Sequence, residues 1–166
     1  MGSDSDWEVM SAAAKRLEAL GLAYEVTVTS THRSPERTAA YVASACERGI
    51  VVFIVGAGAA AHLAGTIAAH TTVPVIGVPL ATTALNGLDA LLSTVQMPAG
   101  VPVATMAVGK AGAENAAILS AQILALSDKT LAARLARFKV ELVEKVAEKD
   151  RQIKERVCRK QSAISS

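Results

Sequence analysis

Hydrophobic and polar positions along this chain switch repeatedly between a helical and an extended period. Val9, Ala12, Leu17 and Leu20 fall roughly on one face of a helix read from Ser5 to Leu20, and Gly21 stops it. A β-branched run, Tyr24-Glu25-Val26-Thr27-Val28-Thr29, then predicts a strand from Ala23 to Thr29. Helical patterning resumes at Pro35 and continues to Arg48, ended by Gly49. Ile50 to Val55 is a short, unbroken apolar run, the mark of a strand covered on both faces. A helix from Ala60 to His70, a strand from Val75 to Val78, a short helix from Gly87 to Val95, a strand from Val103 to Val108 and an Ala-rich helix from Ala111 to Leu126 continue the series. Alternation of this kind predicts an α/β domain with a parallel sheet and right-handed crossovers.

The last helix breaks the pattern. Asp128 caps it, and Leu131, Leu135, Phe138, Leu142, Val146, Ile153 and Val157 form a stripe at helical spacing. At about 30 residues it is about 45 Å long, more than a small α/β domain is wide. The expectation is a domain over residues 1–127, a helix over 128–160 that buries its stripe on a neighbouring subunit, and a disordered tail over 161–166.

Composition narrows the picture. The chain has 166 residues, 51% of them hydrophobic, which suits one domain with a sizeable core. Lys and Arg number 17 against 15 Asp and Glu, and only 3% of residues are aromatic, so neither a basic footprint nor a base-stacking platform for nucleic acid is present. Cys46 and Cys158 lack metal-ligand spacing and read as buried or idle thiols of a reducing, cytoplasmic compartment. Ile50 to Leu88 carries no Asp, Glu, Lys or Arg, but Gly, Thr, His and Pro interrupt it too often for a membrane span. The acidic start, Met1-Gly2-Ser3-Asp4-Ser5-Asp6-Trp7, has no apolar core of a secretory signal and does not fit the myristoylation pattern.

Candidate chemistry sits in three loops, placed where open α/β sheets bind ligands. In Ser30-Thr31-His32-Arg33-Ser34-Pro35 the strand gives way to a helix, with Ser34 suited to the N-cap and Pro35 to the first turn. Such a turn aims backbone N–H groups at anions, and it sets a proton carrier, His32, beside an anion holder, Arg33. The first loop, Gly2-Ser3-Asp4-Ser5-Asp6, either caps the helix that follows or holds a phosphate through its hydroxyls while Asp6 takes sugar hydroxyls. The third, Gly56-Ala57-Gly58-Ala59-Ala60-Ala61-His62, lets backbone approach a flat ligand but lacks both the third glycine of a dinucleotide fingerprint and a P-loop lysine. A lone His62 at a helix start is as compatible with structure as with catalysis.

Taken together, these loops, with Ala84-Leu85-Asn86-Gly87-Leu88-Asp89 and Val95-Gln96-Met97-Pro98-Ala99-Gly100-Val101-Pro102-Val103-Ala104-Thr105, resemble the class I N5-carboxyaminoimidazole ribonucleotide mutases of purine biosynthesis. The resemblance runs in order from Gly2 to about Leu126. It implies a three-layer, flavodoxin-like domain assembled as a homo-octamer. It also implies transfer of a carboxyl group from the exocyclic amine of an aminoimidazole ribonucleotide to ring carbon C4, without metal, nucleotide or other cofactor. His32 is then the proton carrier and His62 lines the carboxylate and CO₂ pocket. Ser3, Ser5, Ser30 and Arg33 hold the 5′-phosphate, Asp6 the ribose, and Ala57, Gly58, Ala59 and Ala60 wall a small dry pocket, with Thr31 and Leu63 beside them. Asn86, Met97 and Pro98 correspond to pocket-wall positions and equally suit turn and packing roles.

The chain departs from the family in three places. It has Gly58-Ala59 where the family has two glycines, and Ala64 where proline is usual, which implies tuned rather than lost activity. It begins at the first loop, where the family has a preceding apolar strand of about six residues. An upstream start is the expectation, since neighbouring strands would otherwise expose unpaired edges. Two other functions fit the same residues: direct carboxylation of the aminoimidazole ribonucleotide with free CO₂, and an inactive, oligomeric homologue lacking the first strand.

Overall fold

The computed structural model describes residues 1–45 and 47–164. Cys46 and the end of the expected tail, residues 165–166, lie outside the described residues. The chain divides into two compact units, Met1–Ile123 and the residues from Leu124 onward.

In the first unit a 3₁₀ turn, Asp4–Asp6, leads into α1 (Trp7–Ala19). Then follow α2 (Pro35–Ala45), β1 (Phe53–Gly58), α3 (Leu63–Ala69), β2 (Val75–Leu80), α4 (Leu88–Val95), β3 (Ala104–Thr105) and α5, Lys110–Ala125, which runs to the unit boundary. The three strands form one parallel sheet in the order β1-β2-β3, with Phe53 opposite Val75, Gly58 opposite Leu80 and Ile76 opposite Ala104.

The alternation of side chains along a strand distributes the helices. Phe53, Val55, Ala57 and Val75 point to one face, where they cluster with Val42 of α2, Leu63, Ala64 and Ile67 of α3, and Ala90 of α4. Ile76, Val78 and Leu80 point to the other and meet Met10, Ala13 and Leu17 of α1 and Ala113, Ala116 and Ala117 of α5. This is the parallel α/β arrangement expected from the alternation, in the three-layer, flavodoxin-like form that the family resemblance implies.

Three expected strands are corrected; the one expected from Val103 to Val108 shortens to Ala104–Thr105, where it pairs with Ile76 and Gly77. Residues 23–29 join no ladder, because a strand needs backbone partners along its length. Among the described residues Met1 alone supplies them: its ammonium donates to the Thr27 carbonyl at 3.0 Å, and the Thr29 amide donates to the Met1 carbonyl at 2.9 Å. Gly2 in turn donates to the Gly56 carbonyl at 3.3 Å, so the first two residues lie between this run and β1. The second strand is shifted: it starts at Phe53 rather than Ile50 and extends through Gly58. Gly56-Ala57-Gly58 reads as loop from composition, yet β2 continues to Leu80 and supplies partners up to that point.

In the second unit Asp128 caps α6 (Lys129–Ile164) as expected, its Oδ1 accepting the amides of Thr130 at 2.8 Å and Leu131 at 3.0 Å. Helix thus continues into the segment expected as a tail. Leu131 and Phe138 are buried and Leu135 half-buried, whereas Leu142, Val143, Val146, Ile153 and Val157 are exposed. Lys154–Asp150 at 2.6 Å and Arg151–Glu148 pair along the polar surface, a modest support for a solvated helix.

Candidate active site

Three segments converge beyond the carboxyl end of β1. The turn before α2 is organised by Ser30 and Ser34. Ser34 occupies the N-cap position through its backbone, its carbonyl accepting the Thr38 amide at 3.1 Å, but its hydroxyl turns back to the Ser30 carbonyl at 3.1 Å. Ser30 Oγ accepts the Arg33 amide at 3.2 Å. The loop is closed on itself, and His32 and Arg33 project from it, both exposed.

Arg33 reaches the first loop, its Nη2 donating to the Gly2 carbonyl at 3.3 Å. There the Ser3 and Ser5 hydroxyls are 2.9 Å apart. Asp4 Oδ1 accepts the Ser3 hydroxyl and the Ser5 amide, each at 3.0 Å. Those bonds, with a smaller contribution from the Arg33 charge, hold the Asp4 carboxyl below the ordinary carboxylate range. Asp6 is only 6% exposed, and its Oδ2 accepts the Ser3 amide at 3.0 Å, completing a capping box. Burial pushes its carboxyl up, against the opposing pull of the Ser3 amide. The capping role read for this loop is therefore realised, and one oxygen of Asp6 is already committed to it.

The third segment carries the strain of the site. Ala59 has φ +51°, in the left-handed region that an alanine Cβ disfavours. This is where the family motif has its second glycine, so the departure noted from sequence shows up as backbone strain. Gly58 just before it is pressed against Thr82: a Cβ there would overlap the threonine side chain. Ala59 and Ala60 are exposed, whereas Ala57 and Leu63 are buried in the core between β1 and α3. Ala57 and Leu63 thus act from behind the loop, while Ala59 and Ala60 form its surface.

The loops join at the two histidines. His32 Nε2 and His62 Nδ1 are 2.9 Å apart, with the rings nearly perpendicular at 83° and their centroids 5.0 Å apart. At that distance one nitrogen carries the hydrogen and the other accepts it. His32 Nδ1 and His62 Nε2 are the ring nitrogens outside this contact. Beside them Thr31 donates its hydroxyl to Thr66 Oγ1 at 3.0 Å. Sequence reading brought together Ser3, Ser5, Ser30, Arg33, His32 and His62. It missed Thr66 and Thr82; the signal for Thr66 was its place one helical turn beyond His62. Asn86 adopts φ +51° in a turn, and Met97 packs against Gly65 of α3. Among the described residues no three His, Cys, Asp or Glu side chains gather as a metal site, and no helix is long and apolar enough to cross a membrane.

A parallel sheet with helices on both faces, and small, hydroxyl-rich and basic loops beyond its strand ends, defines a small-molecule-binding α/β protein. The family model described as AIR carboxylase matches residues 1–145, and the chain belongs to that family. It is 54% identical over 149 residues to the N5-carboxyaminoimidazole ribonucleotide mutase of Brucella melitensis, covering 90% of this chain and 92% of that protein. The protein of the same name from Bacillus subtilis is 58% identical over 135 residues, 81% of this chain and 83% of the relative. That from Escherichia coli is 56% identical over 135 residues, 81% and 80%. Among solved structures, Treponema denticola PurE superposes with a TM-score of 0.81 at 25% identity, covering 92% of this chain and 94% of that one.

Proposed function

We propose that this chain is an N5-carboxyaminoimidazole ribonucleotide mutase of purine biosynthesis, converting its substrate to 4-carboxy-5-aminoimidazole ribonucleotide. The observation that carries the reading is the His32–His62 pair, standing next to Arg33 and the hydroxyls of Ser3, Ser5 and Ser30, in a chain more than half identical to proteins of that name.

The chemistry follows from atom balance. The carbamate N–C bond breaks, releasing CO₂ and returning its electron pair to the exocyclic nitrogen, which gains a proton. The electron-rich ring then attacks the trapped CO₂ through C4, and the C4 proton leaves to restore aromaticity. One proton is gained and one lost, so a single carrier that ends as it began suffices, and His32 fills that role. Arg33 with Ser3, Ser5 and Ser30 holds the 5′-phosphate, and a guanidinium is well matched to that anion. Asp6 takes the ribose with the oxygen that its capping bond leaves available. Ala57, Gly58, Ala59 and Ala60, with Thr31 and Leu63 behind or beside them, shape the space in which CO₂ is held, and His62 lines it. No metal or organic cofactor enters this sequence of steps.

The description of the family as AIR carboxylases supports a second reading, direct capture of free CO₂ by the aminoimidazole ribonucleotide. Substrate labelled with ¹³C in the carbamate separates the two. In unlabelled bicarbonate the mutase carries the label into the product, whereas a direct carboxylase dilutes it to the level of the medium. We place the enzyme in the cytoplasm as an octamer. Residues 1–127 are its catalytic domain, and the exposed stripe of α6 within residues 128–160 is the surface that meets a neighbouring subunit.

A further inference from the structure

We propose that Thr66 is a positioning residue: a Thr31–Thr66 hydroxyl clasp keeps His32 and His62 in register, so that they work as one proton relay. Each histidine comes from a different segment, His32 from the turn before α2 and His62 from the start of α3. Both rings are exposed, so burial does not lock either one. Something nearby has to fix the two segments relative to each other, and the hydroxyl chain spans that gap.

The clasp has a defined direction. The His62 carbonyl can only accept, and it receives both the Thr66 amide and the Thr66 hydroxyl, each at 3.0 Å. With its own hydrogen committed there, the Thr66 oxygen is the acceptor for Thr31 Oγ1 at 3.0 Å. The result is a continuous line, Thr31 hydroxyl to Thr66 hydroxyl to His62 carbonyl, running from the residue before His32 to the backbone of His62. Thr66 also ties the far end of the helix, its carbonyl accepting His70 Nδ1 at 2.8 Å. One side chain thus links the two loops whose separation sets the 2.9 Å contact between His32 Nε2 and His62 Nδ1.

That contact makes the pair a relay. A proton arriving at one outer nitrogen lets the shared hydrogen shift across the contact and releases a proton at the other outer nitrogen; charge is unchanged, both rings exchange tautomer, and passage in the reverse direction restores them. Such a transfer depends steeply on the separation of the rings, and a displacement of about 1 Å at a reacting group costs up to about 10²-fold.

The test uses Thr66→Val, which removes both hydroxyl bonds at nearly constant shape, with Thr66→Ser as the conservative control and Thr31→Val to remove only the first bond. The direct readout is the ¹⁵N–¹⁵N coupling across the His32–His62 hydrogen bond in histidine-labelled full-length protein, with mutase kcat and KM alongside. Thr66→Val should lose the coupling and lower kcat about tenfold while KM stays within about twofold, the pattern of lost transition-state alignment. Thr66→Ser should retain both, and Thr31→Val should fall between. Retention of the coupling and of kcat in both valine variants overturns the proposal. So does a loss that Thr66→Ser fails to restore. The kinetic arm rests on the mutase reading and the spectroscopic arm does not, so an enzyme without mutase activity still shows or lacks the clasp-dependent coupling.

Discussion

At the scale of single residues, the site combines strain with committed polar groups. Ala59 at φ +51° costs about 1–2 kcal/mol relative to a right-handed conformation. Replacing it with glycine removes that cost but restores about 0.4–1 kcal/mol of chain entropy to the unfolded state. Ala59→Gly should therefore stabilise by about 0.5–1 kcal/mol, read as a higher urea midpoint at unchanged slope. Asp6 works in the opposite sense. Burial raises its carboxyl above the ordinary value of 3.8, so the folded protein holds that proton more tightly than the unfolded chain. Its contribution is most favourable below the unfolded value and is lost as the pH rises through the raised folded one. Asp6→Asn, which still offers an oxygen to the Ser3 amide, should abolish this fall in stability with rising pH and so steepen the acid limb of the profile; an unchanged profile contradicts the assignment. His32, Arg33 and the serines were legible because their chemistry is carried by residue type. The commitment of Asp6 to the capping box was legible only as one of two options, since serine and aspartate before a helix serve capping and ligand binding alike.

At the scale of elements, periodicity located every helix, and it failed where pairing rather than pattern decides. Residues 23–29 have the β-branched content of a strand, yet among the described residues only Met1 offers them backbone partners, and sequence alone does not count neighbours. Gly56-Ala57-Gly58 looks like a loop, but β2 supplies a ladder for it, and the missing side chains let Met10 and Thr82 close in. Gly58 is thus strand end and site wall at once. Gly58→Ala should lose about 1–3 kcal/mol through overlap with Thr82, and it should displace the loop that carries His62. Full stability by thermal melting contradicts that packing. The Thr31–Thr66 link lies beyond sequence reading for a similar reason: two threonines far apart in the chain declare nothing until the fold brings them together.

At the scale of the whole molecule, the second unit carries an apolar surface without a described cover, with Val143 70% and Val146 68% exposed on a helix of 36 residues. A stripe of that length is costly to leave in water, which is why assembly through α6 is the expectation. Val143→Glu with Val146→Glu should lower the mass measured by light scattering, while an unchanged mass contradicts a role for this stripe in assembly. The proposed activity is transfer of a carboxyl group with His32 as the proton carrier. The most direct measurement is an absorbance assay of N5-carboxyaminoimidazole ribonucleotide conversion by the full chain and by His32→Asn, with folding of both checked by circular dichroism. Carboxyl transfer with His32 as the proton carrier requires turnover by the first and none above background by the second. A folded His32→Asn protein that turns over as fast as its parent contradicts it.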